Sequence, residues 1–142
     1  MDLGEDQLSC VSVYAPNKNP ERNSFFSAVA AIVDLSRPTF VCGDFNSVLD
    51  STLDRMRHPS YTGSASAANQ ESGAALQSLL SYTQTYPVWH TFHPTQIAYS
   101  WTHASGKFAS RIDMVWAPTC LEQSIEGCEY HPSFFLLPPV LT

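Results

Sequence analysis

At residues 39–46 the chain reads TFVCGDFN, a short apolar run that ends in a glycine, a carboxylate and an amide. Residues 39–42 are consistent with a buried strand, which Gly43 bounds. Asp44 and Asn46 are two positions apart, so their side chains point the same way while Phe45 points into the core. The end of a buried strand is a common place for a functional site.

A carboxylate beside an amide suits the attack of water on a phosphate. Asp44 would orient and deprotonate the water, and Asn46 would donate a hydrogen bond to a phosphate oxygen. The alternative is an Asp-x-Asn turn, in which these side chains bond to the backbone. The two residues alone favour the turn.

Strands and helices alternate on both sides of this segment. Residues 7–14 alternate and are rich in β-branched and aromatic side chains, which predicts a strand. Apolar residues then recur at helical spacing and predict one amphipathic helix that Arg37-Pro38 ends. These residues are Phe25, Phe26, Val29, Ile32 and Val33.

The second half of the chain carries weaker patterns. Residues 47–72 are polar and predict a surface loop, and leucines predict a second helix over about residues 72–83. Residues 87–94 are aromatic and loop-like. Residues 98–102 and 111–116 are predicted to be paired strands joined by a turn at 105–107. The expected class is α/β (α+β) in packed layers, with one domain over residues 1–142.

Asp113 lies within the last of these strands, on the face opposite Ile112, Met114 and Trp116. A carboxylate inside a strand needs a partner if it is buried. It could orient a catalytic histidine, or it could simply pair with Arg111 or a backbone N–H.

Two hydroxyl residues are further candidates for phosphate contact, Tyr14 and Ser100. The hydroxyl of Tyr14, at the end of the first strand, could reach a phosphate oxygen, although such tyrosines are more often half-buried packing. Ser100 is an ordinary strand serine unless the fold places it near Asp113.

Composition favours a folded domain, since 44% of residues are hydrophobic and 14% are charged. The net charge is −6, from 13 acidic and 7 basic residues, which disfavours phosphate contacts through Lys and Arg alone. An acidic enzyme can instead meet phosphate through a divalent metal ion.

Four cysteines carry no Cys-x-x-Cys spacing, so a zinc site has no local support and all four are expected to be reduced. No apolar run approaches the ~20 residues of a membrane helix. The first six residues do not resemble a signal peptide, and an intracellular protein is expected.

Six segments, taken in order, resemble the endonuclease/exonuclease/phosphatase family, and within it the endonuclease domains of LINE-type (non-LTR) retrotransposons. The resemblance covers about residues 8–117. The segments are Val13–Asn17, Arg22–Phe26, Gly43–Asn46, Leu53–Arg55, Trp89–Pro94 and Ser110–Asp113.

This resemblance implies roles for the matching residues. Tyr14 would contact the scissile phosphate, Asp44 would position the attacking water and Asn46 would bind a phosphate oxygen. Ser100 matches a small hydroxyl residue near the phosphate, and Asp113 would hold the catalytic histidine.

The resemblance also implies a fold and a reaction. The fold would be a four-layer sandwich, here partial, with two β-sheets face to face and helices outside. The reaction would be magnesium-assisted hydrolysis of a phosphodiester, nicking DNA in the nucleus. A reverse transcriptase encoded by the same element is a possible partner under this reading.

The chain departs from the family pattern at both ends. No strand with the metal-binding Glu precedes Tyr14, and no Ser-Asp-His motif follows Asp113, although residues 139–142 resemble what usually follows that motif. We therefore expect a partial domain with no metal ligand retained and no activity. The alternatives are a repair nuclease or sugar-phosphate phosphatase of the same fold, and a non-catalytic remnant with no selected function.

Overall fold

A computed structural model describes residues 7–60 and 67–131, without the side chains of residues 67–71. The tail at residues 139–142 therefore lies outside the described residues. Seven strands, three α-helices and one 3-10 helix are described. In chain order they are β1 (Ser9–Tyr14), α1 (Asn19–Ile32), β2 (Thr39–Asp44), β3 (Arg55–Arg57), α2 (Ala67–Tyr82), β4 (Thr85–Pro87), α3 (Val88–Phe92), β5 (Trp101–Thr102), β6 (Phe108–Ser110), β7 (Asp113–Pro118) and the 3-10 helix Thr119–Ser124.

The strands form two sheets. The larger has the order β1-β2-β7-β4, with β1 parallel to β2 and β7 antiparallel to both of its neighbours. The smaller has the order β3-β6-β5 and is antiparallel. The class is mixed α+β with two sheets and helices, as the sequence predicted.

The main core lies between the larger sheet and helices α1 and α2. Alternate residues of β1, β2 and β7 point to these helices, and Trp116 stacks on Phe45 with ring centroids 4.5 Å apart. The residues between these positions point to the opposite face of the sheet. There Phe40 and Ala117 pack with Tyr86 and Val88 in a second hydrophobic cluster. Both faces of the sheet thus follow from a period of two.

The first half of the chain follows its predicted pattern closely. Strands β1 and β2 and helix α1 lie where the sequence placed them, and Val41 is fully buried. Ile32 was assigned to the apolar face of α1 but is 71% exposed. The helix ends at Ile32, five residues before the Arg37-Pro38 pair that was expected to end it.

Two segments that were predicted to be loops contain regular secondary structure. Residues 47–72 include strand β3 and the start of α2, and Ser47, Val48 and Asp54 are buried. Residues 87–94 include the end of β4 and the helix α3. A three-residue strand and a five-residue helix are too short to show periodicity, so only their tertiary partners reveal them.

The predicted pairing of the last strands is also wrong. Strand β5 pairs with β6, and the turn between them is closed by the Gly106 N–H bonding His103 O at 2.8 Å. Strand β7 belongs to the other sheet, where it lies between β2 and β4. The chain changes sheets at Arg111-Ile112, which a single sequence cannot signal because strand patterns do not name their partners.

No helix in the described ranges is long and apolar enough to cross a membrane.

Candidate functional site

The four predicted site residues of the larger sheet meet at one end of it. In strand register Tyr14 lies beside Asp44 on β1 and β2, and Asp44 lies beside Asp113 on β2 and β7. Asn46 follows Asp44 by two residues. The convergence arises because two parallel strands end where the antiparallel β7 begins.

One carboxylate oxygen of Asp44 already accepts a hydrogen bond. Its Oδ1 accepts the Asn46 N–H at 2.8 Å, so the predicted Asp-x-Asn turn is present. Burial raises the pKa of Asp44 and the neighbouring charge of Asp113 raises it further, outweighing the Asn46 hydrogen bond that lowers it. The second oxygen can therefore act as a base stronger than an exposed aspartate.

Asn46 is held in a fixed orientation by its surroundings. Its side-chain Nδ2 donates to Ala15 O at 2.6 Å, and its backbone lies in the left-handed region with φ of 45°. Its own carbonyl accepts the guanidinium of Arg22. One N–H of the amide group is left to donate elsewhere, because an amide nitrogen carries two.

Arg22, which begins one of the family segments, is a buried cation that lines the cleft. It is 6% exposed, and it donates to the carbonyls of Asn46 and Asn17 and to the side chain of Asn19. Burial and the charge of Arg55 lower its pKa. Arg22 therefore holds the loops after β1 and β2 together through hydrogen bonds. It is not an exposed cation that contacts phosphate at the surface.

Ser100 lies beside Asp113, the condition under which the sequence allowed it a part in the site. Its Oγ accepts the N–H groups of Ile112 and Asp113, each at 3.0 Å. Because its acceptor capacity is used, the hydroxyl proton is free to be donated outward. The carbonyl of Asp113 accepts the hydroxyl of Tyr130, so Asp113 is held from both sides of its backbone.

A cleft of about 720 Å³ is lined by three of the predicted site residues, Tyr14, Asp44 and Asn46, whereas Asp113 lines a separate cavity. Tyr14 borders it and is 73% exposed, so the alternative of half-buried packing is wrong for this residue. The smaller sheet supplies two arginines and two aromatic rings to the other side. The lining includes Tyr14, Asp44, Asn46, Arg55, Arg57, Trp101 and Phe108.

A buried ion pair lies at the end of the paired strands β3 and β6, between Asp54 just before β3 and Arg111 just after β6. The guanidinium of Arg111 donates to Asp54 Oδ1, from Nε at 3.0 Å and also from NH2, and these residues are 2% and 1% exposed. The imidazole Nε2 of His90 lies 3.1 Å from Asp54 Oδ2, and Trp89 lies under the guanidinium with its ring centroid 5.7 Å away.

The ion pair between Asp54 and Arg111 contradicts one prediction for Asp113, and the sequence did not predict it. Arg111 bonds Asp54, so the alternative in which Asp113 pairs with Arg111 is wrong. Burial alone would raise the pKa of Asp54, but hydrogen bonds from His90, Arg111 and the Asp50 N–H lower it below its usual value. Both residues lie in the quoted motifs, yet 57 positions separate them and nothing in one sequence pairs them.

Each histidine of the described chain bonds a group other than the carboxylate of Asp113. The partners are Ser60 for His58, Asp54 for His90, Cys128 O for His93 and Ser105 for His103, and the exposed His131 lies 3.6 Å from Glu129. Within residues 7–60 and 67–131 no group of three or more His, Cys, Asp or Glu residues could hold a metal ion.

The chain is similar to several known proteins. The chain is 27% identical over 111 residues to the "Transposon TX1 uncharacterized 149 kDa protein" of Xenopus laevis, covering 75% of this chain and 8% of that protein. Its fold resembles a 3'-5' exonuclease (NExo) from Neisseria meningitidis, with a TM-score of 0.66, 19% identity, and coverage of 83% of this chain and 51% of that one.

A second structure from Neisseria, the 3' phosphatase NExo bound to product DNA hairpin, matches with a TM-score of 0.62 and 20% identity, covering 79% of this chain and 49% of that one. The chain thus spans about half the length of these solved structures. The profile described as "Endonuclease/Exonuclease/phosphatase family" matches residues 7–132 and so includes Tyr14, Asp44, Asn46, Ser100 and Asp113. By this match over most of its length, the chain belongs to the endonuclease/exonuclease/phosphatase family.

Proposed function

We propose that this chain is part of a DNA-nicking phosphodiesterase domain of retrotransposon origin, and that it does not turn over by itself. The observation that carries the proposal is the strand register, in which Tyr14 pairs with Asp44 and Asp44 with Asp113, while Tyr14 and Asp44 also line the cleft. The similarity to a transposon protein supports the origin. The Neisseria structure with bound DNA supports the substrate.

The residues of the site divide the work of binding and attack. The free oxygen of Asp44 orients a water and takes its proton. The second N–H of Asn46 and the hydroxyl of Ser100 donate to phosphate oxygens, as does the exposed hydroxyl of Tyr14. Arg55, which lines the cleft, supplies positive charge to the DNA backbone.

Turnover needs more than these donors. Negative charge grows on the phosphate in the transition state and needs a cation, and the family resemblance implies magnesium for that purpose. In the described ranges no group of three or more His, Cys, Asp or Glu residues could hold such an ion, and no histidine there bonds the Asp113 carboxylate. Losing one such group costs on the order of 10² to 10⁴ in rate.

The first test is nicking of supercoiled plasmid by the purified chain with Mg²⁺ or Mn²⁺, beside the variant Asp44→Ala. We expect both proteins to stay at background. Nicking by the natural chain that disappears in Asp44→Ala would support the site but refute the lack of turnover. Nicking that persists in Asp44→Ala would overturn the role of Asp44.

The second test is binding of a fluorescent DNA duplex at low salt, followed by anisotropy. We expect Arg55→Gln to weaken binding several-fold, because it removes a cation from the cleft. The matched control is Arg37→Gln, since Arg37 is exposed and already pairs with Asp34 and Gln7. Asp44→Ala should bind at least as tightly as the natural chain, since it removes a negative charge beside the phosphate. Equal affinity for Arg55→Gln and Arg37→Gln would refute the cleft as the DNA site.

A further inference from the structure

Cys10 and Cys42 meet on the face of the larger sheet that is turned away from α1 and α2. Their Sγ atoms are 3.7 Å apart, although 32 positions separate the residues in sequence. Both are free thiols, Cys10 exposed and Cys42 half-buried. Neither belongs to the predicted site, and the sequence alone offers no reason to pair them.

The strand register argues against a disulfide between these two cysteines. Cys10 lies beside Phe40, and Cys42 lies beside Ser12, so the cysteines are two residues out of register. Two residues of strand span about 6.6 Å, and neighbouring strands are about 4.8 Å apart. Their Cα atoms are therefore separated by about 8 Å, beyond the roughly 7 Å that a disulfide bridges without backbone movement.

The same separation suits an ion held between the sulfurs. Two thiolates bound to one tetrahedral ion at about 2.3 Å lie about 3.8 Å apart, which is close to the observed 3.7 Å. Soft thiolate ligands select soft cations, whereas magnesium prefers oxygen. Water can complete the coordination, because Cys10 is open to solvent.

We propose that Cys10 and Cys42 form a two-thiolate binding site for a soft, closed-shell divalent cation of the Zn²⁺ and Cd²⁺ class. Two metal–sulfur bonds form on binding, two S–H bonds break, and the two protons pass to solvent without any transfer of electrons. In the described ranges no third His, Cys, Asp or Glu joins the pair, so the protein supplies two ligands. The bound ion ties the edge strand β1 to β2 and stabilises the folded state.

Titration with Cd²⁺ tests the site, because cadmium thiolates absorb in the ultraviolet. The reduced full chain should bind one equivalent, with a charge-transfer band and a higher Tm, and a hundredfold excess of Mg²⁺ should not compete. Cys10→Ser and Cys42→Ala should each weaken binding at least about tenfold. The controls Cys120→Ser and Cys128→Ser should leave it unchanged.

Several outcomes would overturn the proposal. One is an absent charge-transfer band at stoichiometric Cd²⁺, and another is binding that depends on Cys128 but not on Cys10. Because Cys42→Ala removes a half-buried side chain, its circular dichroism is checked, and the exposed Cys10→Ser carries the test if Cys42→Ala misfolds. Oxidation of the folded chain by diamide gives a further measure, since a Cys10–Cys42 disulfide found by mass mapping would refute the geometry.

Discussion

Substitution of Asp54 by Asn removes one charge from the buried ion pair with Arg111. Asp54 Oδ1 accepts two donors of the Arg111 guanidinium, and Oδ2 accepts the Asp50 N–H at 3.0 Å. An amide has one oxygen, so its NH2 group must face one of these donors whichever way it is turned. Asp54→Asn therefore leaves the charge of Arg111, a residue 2% exposed, without a counterion.

The expected loss is large. Removing one partner of a buried pair costs about 3–5 kcal/mol, which is a large part of the roughly 5–15 kcal/mol by which a domain is stable. For a chain of this size we expect a fall in Tm of about 10–20 °C. Urea unfolding followed by tryptophan fluorescence and by far-ultraviolet circular dichroism measures the change.

The matched control is Asp34→Asn. Asp34 pairs with Arg37 at 3.5 Å, but both side chains are 52% exposed, so solvent screens the pair and little change is expected. Adding Arg111→Met to Asp54→Asn should restore part of the stability, since it removes the lone buried charge. A loss within about 1 kcal/mol for Asp54→Asn would refute the reasoning.

Three further changes have defined outcomes. Gly43→Ala should prevent soluble expression, because Gly43 has φ of 136° and a Cβ there would lie 2.0 Å from Val13 O. In the control Gly106→Ala, the added Cβ meets no atom within 4 Å at φ of 70°. The control should therefore lower the free energy of unfolding in denaturant by only about 1–2 kcal/mol. Asp44→Asn should be more stable than the natural chain at pH 7. The pKa of Asp44 is raised in the folded state, so the natural chain is stabilised by protonation of Asp44 and loses that stability as the pH rises. In urea unfolding at different pH values, the difference in unfolding free energy between the two proteins should close below about pH 4. The chain expressed alone should be poorly soluble, since Leu8 and Val115 are 56% and 47% exposed; light scattering that reports a stable monomer at high concentration would count against this.

The sequence by itself determined the strands and the helix of the first half and the set of candidate residues. Periods of two and 3.6 residues are local properties, so β1, α1 and β2 could be read directly. The ordered motifs gave the family, and the end of a buried strand pointed to Asp44 and Asn46. The family match and the observed convergence with Asp113 agree with those expectations, while the chemical roles of the residues remain predictions.

Only the tertiary structure decided which distant groups meet. The pairing of β5 with β6, the buried bond between Asp54 and Arg111, and the contact of Cys10 with Cys42 join positions far apart in sequence. Side-chain patterns record whether a residue is buried but not what it touches, since many partners satisfy the same burial. The chain crosses from the smaller sheet to the larger one at Arg111-Ile112, so β7 pairs with β2 and β4 and not with β6.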